Sequence, residues 1–476
     1  MFRLRQPHDC TIILVQRGGY SCEDAMLRSI ECSGFKSFDN FNINFKPGLN
    51  VIVGPNGSGK TNIILFLQFL SSLRRSPIIE AIGQIGGAGS AFRRAKFTTE
   101  DEIDFRIVGS GIYNTFDERK IFSGNYDYSA TVSFSKNEGT IIFKKQRLKT
   151  FIDKNNDPGL FSLGDLPPTF DVETKVAEDG QVITTIHALN PNMLRYSARN
   201  DEEVGRAQIK DASEHLSKTY SMLGYLDRIV DSIDFPGQDL RGARSYNILP
   251  YKVREPEDIA NSPFIEPDGS GLAATLYALQ TEDISIARRY APIYYSRPSY
   301  ADAELMRKQI IDSGRLVNDA IVDIRVQPDP FESKLRITVD LDYGENLVRL
   351  PFSMVSDGTA KWYALVTAVV TNRRLFAIEE PENFLHPHMQ SEIIKLLRNQ
   401  YSASVYSDEY EVDKFAIITT HSETILNNCK PDELIIVNLE NGRTVTHRTE
   451  NSDDLSKEIK RTGFGLGYYY LAGAVE

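Results

Sequence analysis

Two short stretches of this chain hold residue types that could do chemistry together. "GPNGSGKT", Gly54 to Thr61, follows the β-branched run "VIV" and precedes the apolar "NIILFLQFLSSL". The spacing G-x-x-x-x-G-K-[ST] lets glycines turn backbone N–H groups inward, forming an anion cradle at a helix N-terminus. Gly54, Pro55, Asn56, Gly57, Ser58, Gly59, Lys60, Thr61 and Asn62 are the candidate phosphate contacts. Lys60 would reach the β- and γ-phosphates of a nucleotide, and the Thr61 hydroxyl would ligate Mg²⁺.

The second stretch is "IEEPENFLHPHM", which sets Glu379 and Glu380 directly behind the apolar run "LFAI". Two adjacent carboxylates at the end of a buried strand repel each other and lose hydration. Taken alone, the stretch is an ordinary surface turn. Beside a phosphate loop it gains a purpose, because a bound Mg²⁺ relieves the repulsion. Glu379 then reads as the metal-holding acid, and Glu380 as the base or water-positioning group next to the γ-phosphate.

Two further segments fit that site. "FAIIT" (415–419) reads as a buried strand that runs into Thr420 and His421, and a histidine at a strand end can sense or polarise a γ-phosphate. "MVSDGTAKWYALVTAVV" places the polar turn Ser356-Asp357-Gly358 before an apolar helix. That turn reads as an N-cap, or as an anion-binding helix terminus aimed at a γ-phosphate.

The elements that must position these groups are a mixed α/β set. Strand-like alternation in "EIDFRIVG", "YDYSATVSF", "TIIFKKQR" and "VITTIHAL" predicts an antiparallel sheet beside the phosphate-loop core. Helical periodicity runs from about Gln208, interrupted at Gly224, and again from Asp302 to Ile321. The chain has 476 residues, 41% hydrophobic and 25% charged, which suits a globular fold of two or three domain-sized units. The net charge of −11 argues against bulk nucleic-acid affinity but leaves room for a local basic groove. Four scattered cysteines suggest neither a zinc site nor a disulfide framework. With no membrane-length apolar run and no signal-peptide pattern, a cytoplasmic location is expected.

The motif set resembles the ABC-type ATPase heads of the SMC, RecF and OLD-like group. "LRSIECSGFKSFDNFNINFKPGLNVIVGPNGSGKTNI" is similar to an SMC or RecF opening, "SDGTAKW" to the signature motif, "IEEPENFLHP" to Walker B plus D-loop, and "ITTHSETIL" to the switch-histidine segment. "DGSGLAATLYAL" and "TGFGLGYYYLAGAVE" resemble the bacterial AAA-family subgroup that includes the Septu defence protein PtuA. By that resemblance Lys36 would lie near the phosphates. Ser356, Asp357 and Gly358 would touch the γ-phosphate of a partner subunit, and Gln84 would be the Q-loop residue. Glu379 stands where the family usually has aspartate, and so does His386 in the D-loop.

The resemblance implies a P-loop NTPase with a compact, partly helical insert. About 300 residues separate Gly54 from Ser356 with no sustained heptads, which favours a compact insert over an SMC arm. The expected division is an N-terminal extension over 1–25, a first head half with antiparallel sheet over 26–190, a helical insert lobe over 191–325, and a second head half over 326–476. ATP and Mg²⁺ are the implied cofactors. The implied function is ATP hydrolysis with head dimerisation controlling a separate effector such as a nuclease, in bacterial antiphage defence. The alternatives are a RecF-like DNA repair ATPase, with nucleic acid as partner, and a nucleotide-gated scaffold with little turnover.

Overall fold

In a computed structural model the described residues are 27–74, 76–93, 100–114, 121–152, 169–190, 201–214, 216–226, 244–281, 300–344, 346–371, 376–402, 415–449 and 451–475. The expected extension over 1–25 lies outside them. The strands form three sheets. The central one has six strands in the order Arg443–Arg448, Leu434–Glu440, Gly48–Val53, Phe415–Thr419, Phe376–Glu379 and Arg244–Tyr246. Its last five strands run parallel, and the first is the antiparallel arm of an edge hairpin.

Residues along the central strands alternate between two hydrophobic cores. Ile52, Phe415, Ile417, Ile435 and Val437 face one core, whereas Val51, Val53, Ala416, Ile418 and Ile436 face the other. This explains why "VIV" and "FAIIT" are apolar at every position: a parallel sheet is covered on both faces.

The first core is closed by the helix Lys60–Ser72 and by a seven-stranded antiparallel sheet. That sheet runs Phe41–Asn44, Leu27–Ser33, Glu100–Asn114, Ile121–Ser135, Thr140–Ile152, Phe170–Val176, Val182–Leu189. The predicted strands all fall in it. Phe35, Phe38, Phe66 and Phe69 are fully buried where helix and sheet meet, and edge-on ring pairs such as Phe35–Phe66 lock them together.

The second core lies under the helices Leu272–Gln280, Asp357–Thr371 and Pro387–Ser402. A four-stranded antiparallel sheet covers it: Lys334–Asp342 pairs Ile321–Pro328 along one edge, and Glu257–Asp258 and Leu347–Pro351 along successive parts of the other. The segment expected as an insert lobe thus supplies Arg244–Tyr246 to the central sheet as well as helices.

Two expected helices end differently. The helix Tyr300–Gly314 gives way to turns, and the strand Ile321–Pro328 begins where helical periodicity had been read. The break in the other lies at a turn around Ser217–Tyr220, between Glu202–Glu214 and Met222–Leu226. Gly224 sits inside the second helix, where a Cβ would meet the Arg74 carbonyl oxygen at 2.3 Å, so it is there for packing. In "DGSGLAATLYAL", Gly271 adopts φ +88° as the N-cap of the Leu272–Gln280 helix. Glu257 caps that helix by accepting from the amides of Gly271 (2.7 Å) and Ala274 (2.9 Å).

Candidate nucleotide site

Parallel pairing sets three strand ends level. Ile52 pairs with Thr419, and Thr419 with Glu379, so the phosphate loop, the His421 segment and the acidic pair leave the sheet side by side. The strand ending at Thr419 lies between the other two, which brings His421 between loop and acids. Open α/β sheets bind ligands at such carboxyl ends.

The loop carries a concave backbone. Gly57 and Gly59 adopt φ +79° and +109°, and a Cβ on Gly54 would meet the Val437 carbonyl oxygen at 2.1 Å. The helix it opens has no side-chain cap and no acidic residue in its first turn, which leaves N–H groups and dipole for an anion. Lys60 Nζ donates to the carbonyls of Gly54 (2.9 Å) and Pro55 (3.1 Å) across the loop. Burial lowers its pKa, against the attraction of Glu380 and Glu382. Pro55, Asn56, Gly57 and Thr61 are exposed, and Ser58 is buried with its hydroxyl unpartnered among the described residues.

A clamp that no motif announced holds this loop from behind. Thr444, on the edge hairpin, donates its hydroxyl to the Ser58 carbonyl (2.9 Å) and its amide to Ser37 (3.0 Å). A Cβ on Gly59 would strike the Thr444 hydroxyl at 2.1 Å, so Gly59 is required by that clamp as well as by its φ. Asn62 Nδ2 donates to Ser37 Oγ at 2.8 Å and joins the same clamp. The Lys36 ammonium donates to Ser90 Oγ at 2.6 Å, while its neighbour Ser37 makes the link to the loop.

The acidic pair divides in two. Glu379 accepts from Ser245 Oγ at 2.9 Å, on the adjacent strand; burial raises its pKa, and the nearby Glu380 adds to the shift. Glu380 is exposed and takes φ +44°, a left-handed conformation that costs a non-glycine residue about 1–3 kcal/mol. Three bonds hold it there: its amide to the Thr419 carbonyl (2.9 Å), and its carbonyl from the Asn383 amide (3.2 Å) and Lys361 Nζ (3.3 Å). Its carboxylate accepts from Asn383 Nδ2 at 3.0 Å. Lys361 is buried and burial lowers its pKa to about 8, against the attraction of Glu382 and Glu380.

The signature segment also has an unforeseen support. Ser356 Oγ accepts the Thr359 amide at 3.1 Å, as an N-cap does. Arg254 donates to Asp357 (2.6 Å) and to the Val355 carbonyl, orienting the turn. Gly358 is needed inside the chain: a Cβ there would lie 2.8 Å from the Phe384 carbonyl oxygen. His421 is exposed and its amide donates to Glu382 at 2.8 Å. His386 is exposed, with Nδ1 accepting from the His388 amide at 3.4 Å.

Gln84 does not belong here. Its side chain accepts from Ser72 at 2.7 Å, at the far end of the loop's helix and roughly 18 Å along the axis from Lys60.

An uncapped helix terminus, a glycine loop and a buried lysine suit a polyphosphate. Thr61 and Glu379 offer the hard oxygen donors Mg²⁺ takes, most of its ligands coming from phosphate and water. Among the described residues no group of three or more His, Cys, Asp or Glu could hold a metal ion by itself. No helix among them is long and apolar enough to cross a membrane.

Comparison with known proteins gives one family, described as "AAA domain, putative AbiEii toxin, Type IV TA system", whose profile matches residues 49–427, about four-fifths of the chain. The chain is 40% identical over 114 residues to the chromosome partition protein Smc of Lactiplantibacillus plantarum, covering 21% of this chain and 9% of that protein. It is 32% identical over 90 residues to the DNA replication and repair protein RecF of Lactobacillus johnsonii, covering 18% and 24%. It is 44% identical over 54 residues to the endonuclease GajA of Bacillus cereus, covering 11% and 8%. The matched part thus spans at most about a quarter of these relatives. Among solved structures, an Smc head bound to the C-terminal winged-helix domain of ScpA aligns at TM-score 0.46 and 14% identity, over 90% of this chain and 99% of that one.

Proposed function

This chain belongs to that AAA-domain family, and from that premise we propose that it is a Mg²⁺-dependent ATPase whose heads close in pairs to control a separate effector. One observation carries the reading: the uncapped, glycine-opened helix terminus of the phosphate loop lies level with the paired carboxylates two parallel strands along the sheet. Lys60 and the loop amides bind the β- and γ-phosphates. Thr61 and Glu379 hold Mg²⁺, which supplies charge neutralisation at the phosphate oxygens. Glu380 accepts the proton of the attacking water, and His421, one strand nearer the loop, faces the γ-phosphate. Ser356 and the amides behind it close the same pocket from the second head.

The effector reading is a nuclease or toxin partner in antiphage defence, with PtuA-like proteins as the finer likeness. It is supported by the toxin system in the family's description and by the local similarity to an endonuclease. The similarity to RecF favours a second reading, in which closed heads clamp DNA in repair.

The test is to measure phosphate release from MgATP by the full chain, and its mass with and without MgATP by light scattering. Turnover together with a nucleotide-dependent doubling of mass is expected; a chain that fails to bind nucleotide would sink the reading. Co-expression with its chromosomal neighbours separates the two roles. Stable capture of a nuclease supports defence, and stimulation of turnover by DNA alone supports repair.

A further inference from the structure

Glu382 took no part in the assignments above, yet it bridges two of the site's three strand ends. Its Oε1 accepts from Thr420 Oγ1 at 2.9 Å and from the His421 amide at 2.8 Å, tying the acidic turn to the histidine segment. Its Oε2 is buried and has no hydrogen-bond partner among the described residues. A desolvated carboxylate oxygen left unpaired is costly, and in a native fold such an atom calls for a specific reason, a catalytic role among them. Burial lowers the pKa of both Lys60 and Lys361, and Glu382 opposes that at each, so its charge reaches both ammonium groups. The neighbouring Glu380 is differently placed, exposed and with one oxygen taken by Asn383.

We propose that Glu382 is a further catalytic residue, whose Oε1 fixes Thr420 and His421 against the acidic turn while Oε2, enclosed here, is uncovered when nucleotide binds and then accepts a hydrogen bond from the attacking water. This rests on the ATPase reading and divides the labour within it: Glu382 orients the water, and Glu380 takes its proton. Orientation of this kind is paid back only in the transition state.

Glu382→Gln separates the two oxygens, because an amide can still accept from Thr420 and His421 but offers N–H₂ in place of the second acceptor. In the full chain, mant-ATP affinity and KM should stay within about threefold of wild type, while kcat falls roughly 100-fold. Hydrogen–deuterium exchange of residues 420–425 should be unchanged. Glu382→Ala should lose turnover and also speed that exchange, and Glu382→Asp should restore part of kcat over alanine. The proposal is overturned if Glu382→Gln turns over within about threefold of wild type. It is equally overturned if the glutamine variant loses turnover only together with faster exchange at 420–425, since the role is then structural. A wild type that neither binds mant-ATP nor releases phosphate removes the ATPase reading and this role with it. A normal wild type beside an unimpaired glutamine variant removes Glu382 alone.

Discussion

The two walls of the candidate site are built on opposite principles. On the phosphate-loop side most polar groups are matched within the chain, the buried Ser58 hydroxyl excepted: Lys60 spans the loop onto two carbonyls, Asn62 and Ser37 join Thr444, and Thr444 grips the Ser58 carbonyl from behind. On the acidic side the chain keeps tension. Glu380 is held left-handed, Lys361 is a buried ammonium, and Glu382 retains an unpartnered oxygen. A binding surface gains from rigidity, because less order has to be imposed when the ligand arrives. A surface that must stabilise charge only as it develops keeps strained and unpaired groups in reserve. The difference therefore assigns binding to the first wall and chemistry to the second, and substitutions on each should separate along that line.

On the binding wall the effect should appear in affinity. Lys60→Ala removes the ammonium that spans the loop, and mant-ATP affinity should fall by about two orders of magnitude, the loss of a charge-assisted contact in a partly buried site. Unchanged affinity would break the comparison at its base.

On the other wall the effect should move from binding to turnover. Glu380→Gln should leave mant-ATP affinity near wild type and lower kcat by roughly 100- to 1,000-fold, the usual range for losing a general base. Glu379→Gln should raise the Mg²⁺ concentration needed for half-maximal activity. If both glutamines weaken nucleotide binding as much as Lys60→Ala does, the division into two walls is wrong.

A third test asks whether a second head completes the pocket. Gly358 is unsuited to it, because a side chain there would press on Phe384 within the same chain. Ser356 is exposed, so an arginine can project from it toward a facing head. Ser356→Ala removes the cap, which is worth about 1 kcal/mol, and the hydroxyl turned to the second head, but adds no bulk, and serves as the size control. Ser356→Arg should keep mant-ATP binding, while light scattering shows no MgATP-dependent dimer and turnover is lost. Mixing it with Lys60→Ala should recover part of the activity through one intact composite site, once subunit exchange has been checked with labelled chains. Equal effects of alanine and arginine would point to a self-contained site.

What the sequence made legible was local. The loop, the acidic pair and the histidine segment each lie within a dozen residues, and the antiparallel strands announced themselves by alternation. The supports were not legible, because they depend on which distant strands pair. Thr444 lies 386 residues from Ser58, and Ser245 lies 134 from Glu379. Arg254 reaches Asp357 from 103 residues away. Glu382 was visible inside "EEPENF" but read as part of a turn, since nothing local marks which carboxylate bonds a neighbouring strand. Nothing local singles out Lys361 in "SDGTAKW", and only the packing of its helix under the acidic turn makes it a buried charge.

That buried lysine gives the smallest and most direct test of tension on the acidic wall. Its folded pKa is about 8, against an ordinary value of 10.5, with burial as the main cause. The sign follows from proton counting. Between these two values the unfolded chain binds the proton more tightly, so stability rises as pH increases through about 8 and levels off above 10.5. At pH 7 the lysine is charged in both states and its desolvation is a net cost to the fold. Lys361→Met keeps the stem's volume without the charge, and should raise Tm at pH 7 by a few degrees, the shift expected of roughly 1–2 kcal/mol in a chain of this size. It should also flatten the rise in stability between about pH 8 and 10.5. Turnover should fall in the same variant, because the Glu380 carbonyl loses its ammonium donor. Thermal melts at pH 7, 8.5 and 10 check the first two outcomes, and phosphate release at pH 7 checks the third. A variant less stable than wild type at pH 7 would mean that Lys361 is fully compensated by its carboxylate neighbours. The acidic wall would then be as well matched as the loop it faces.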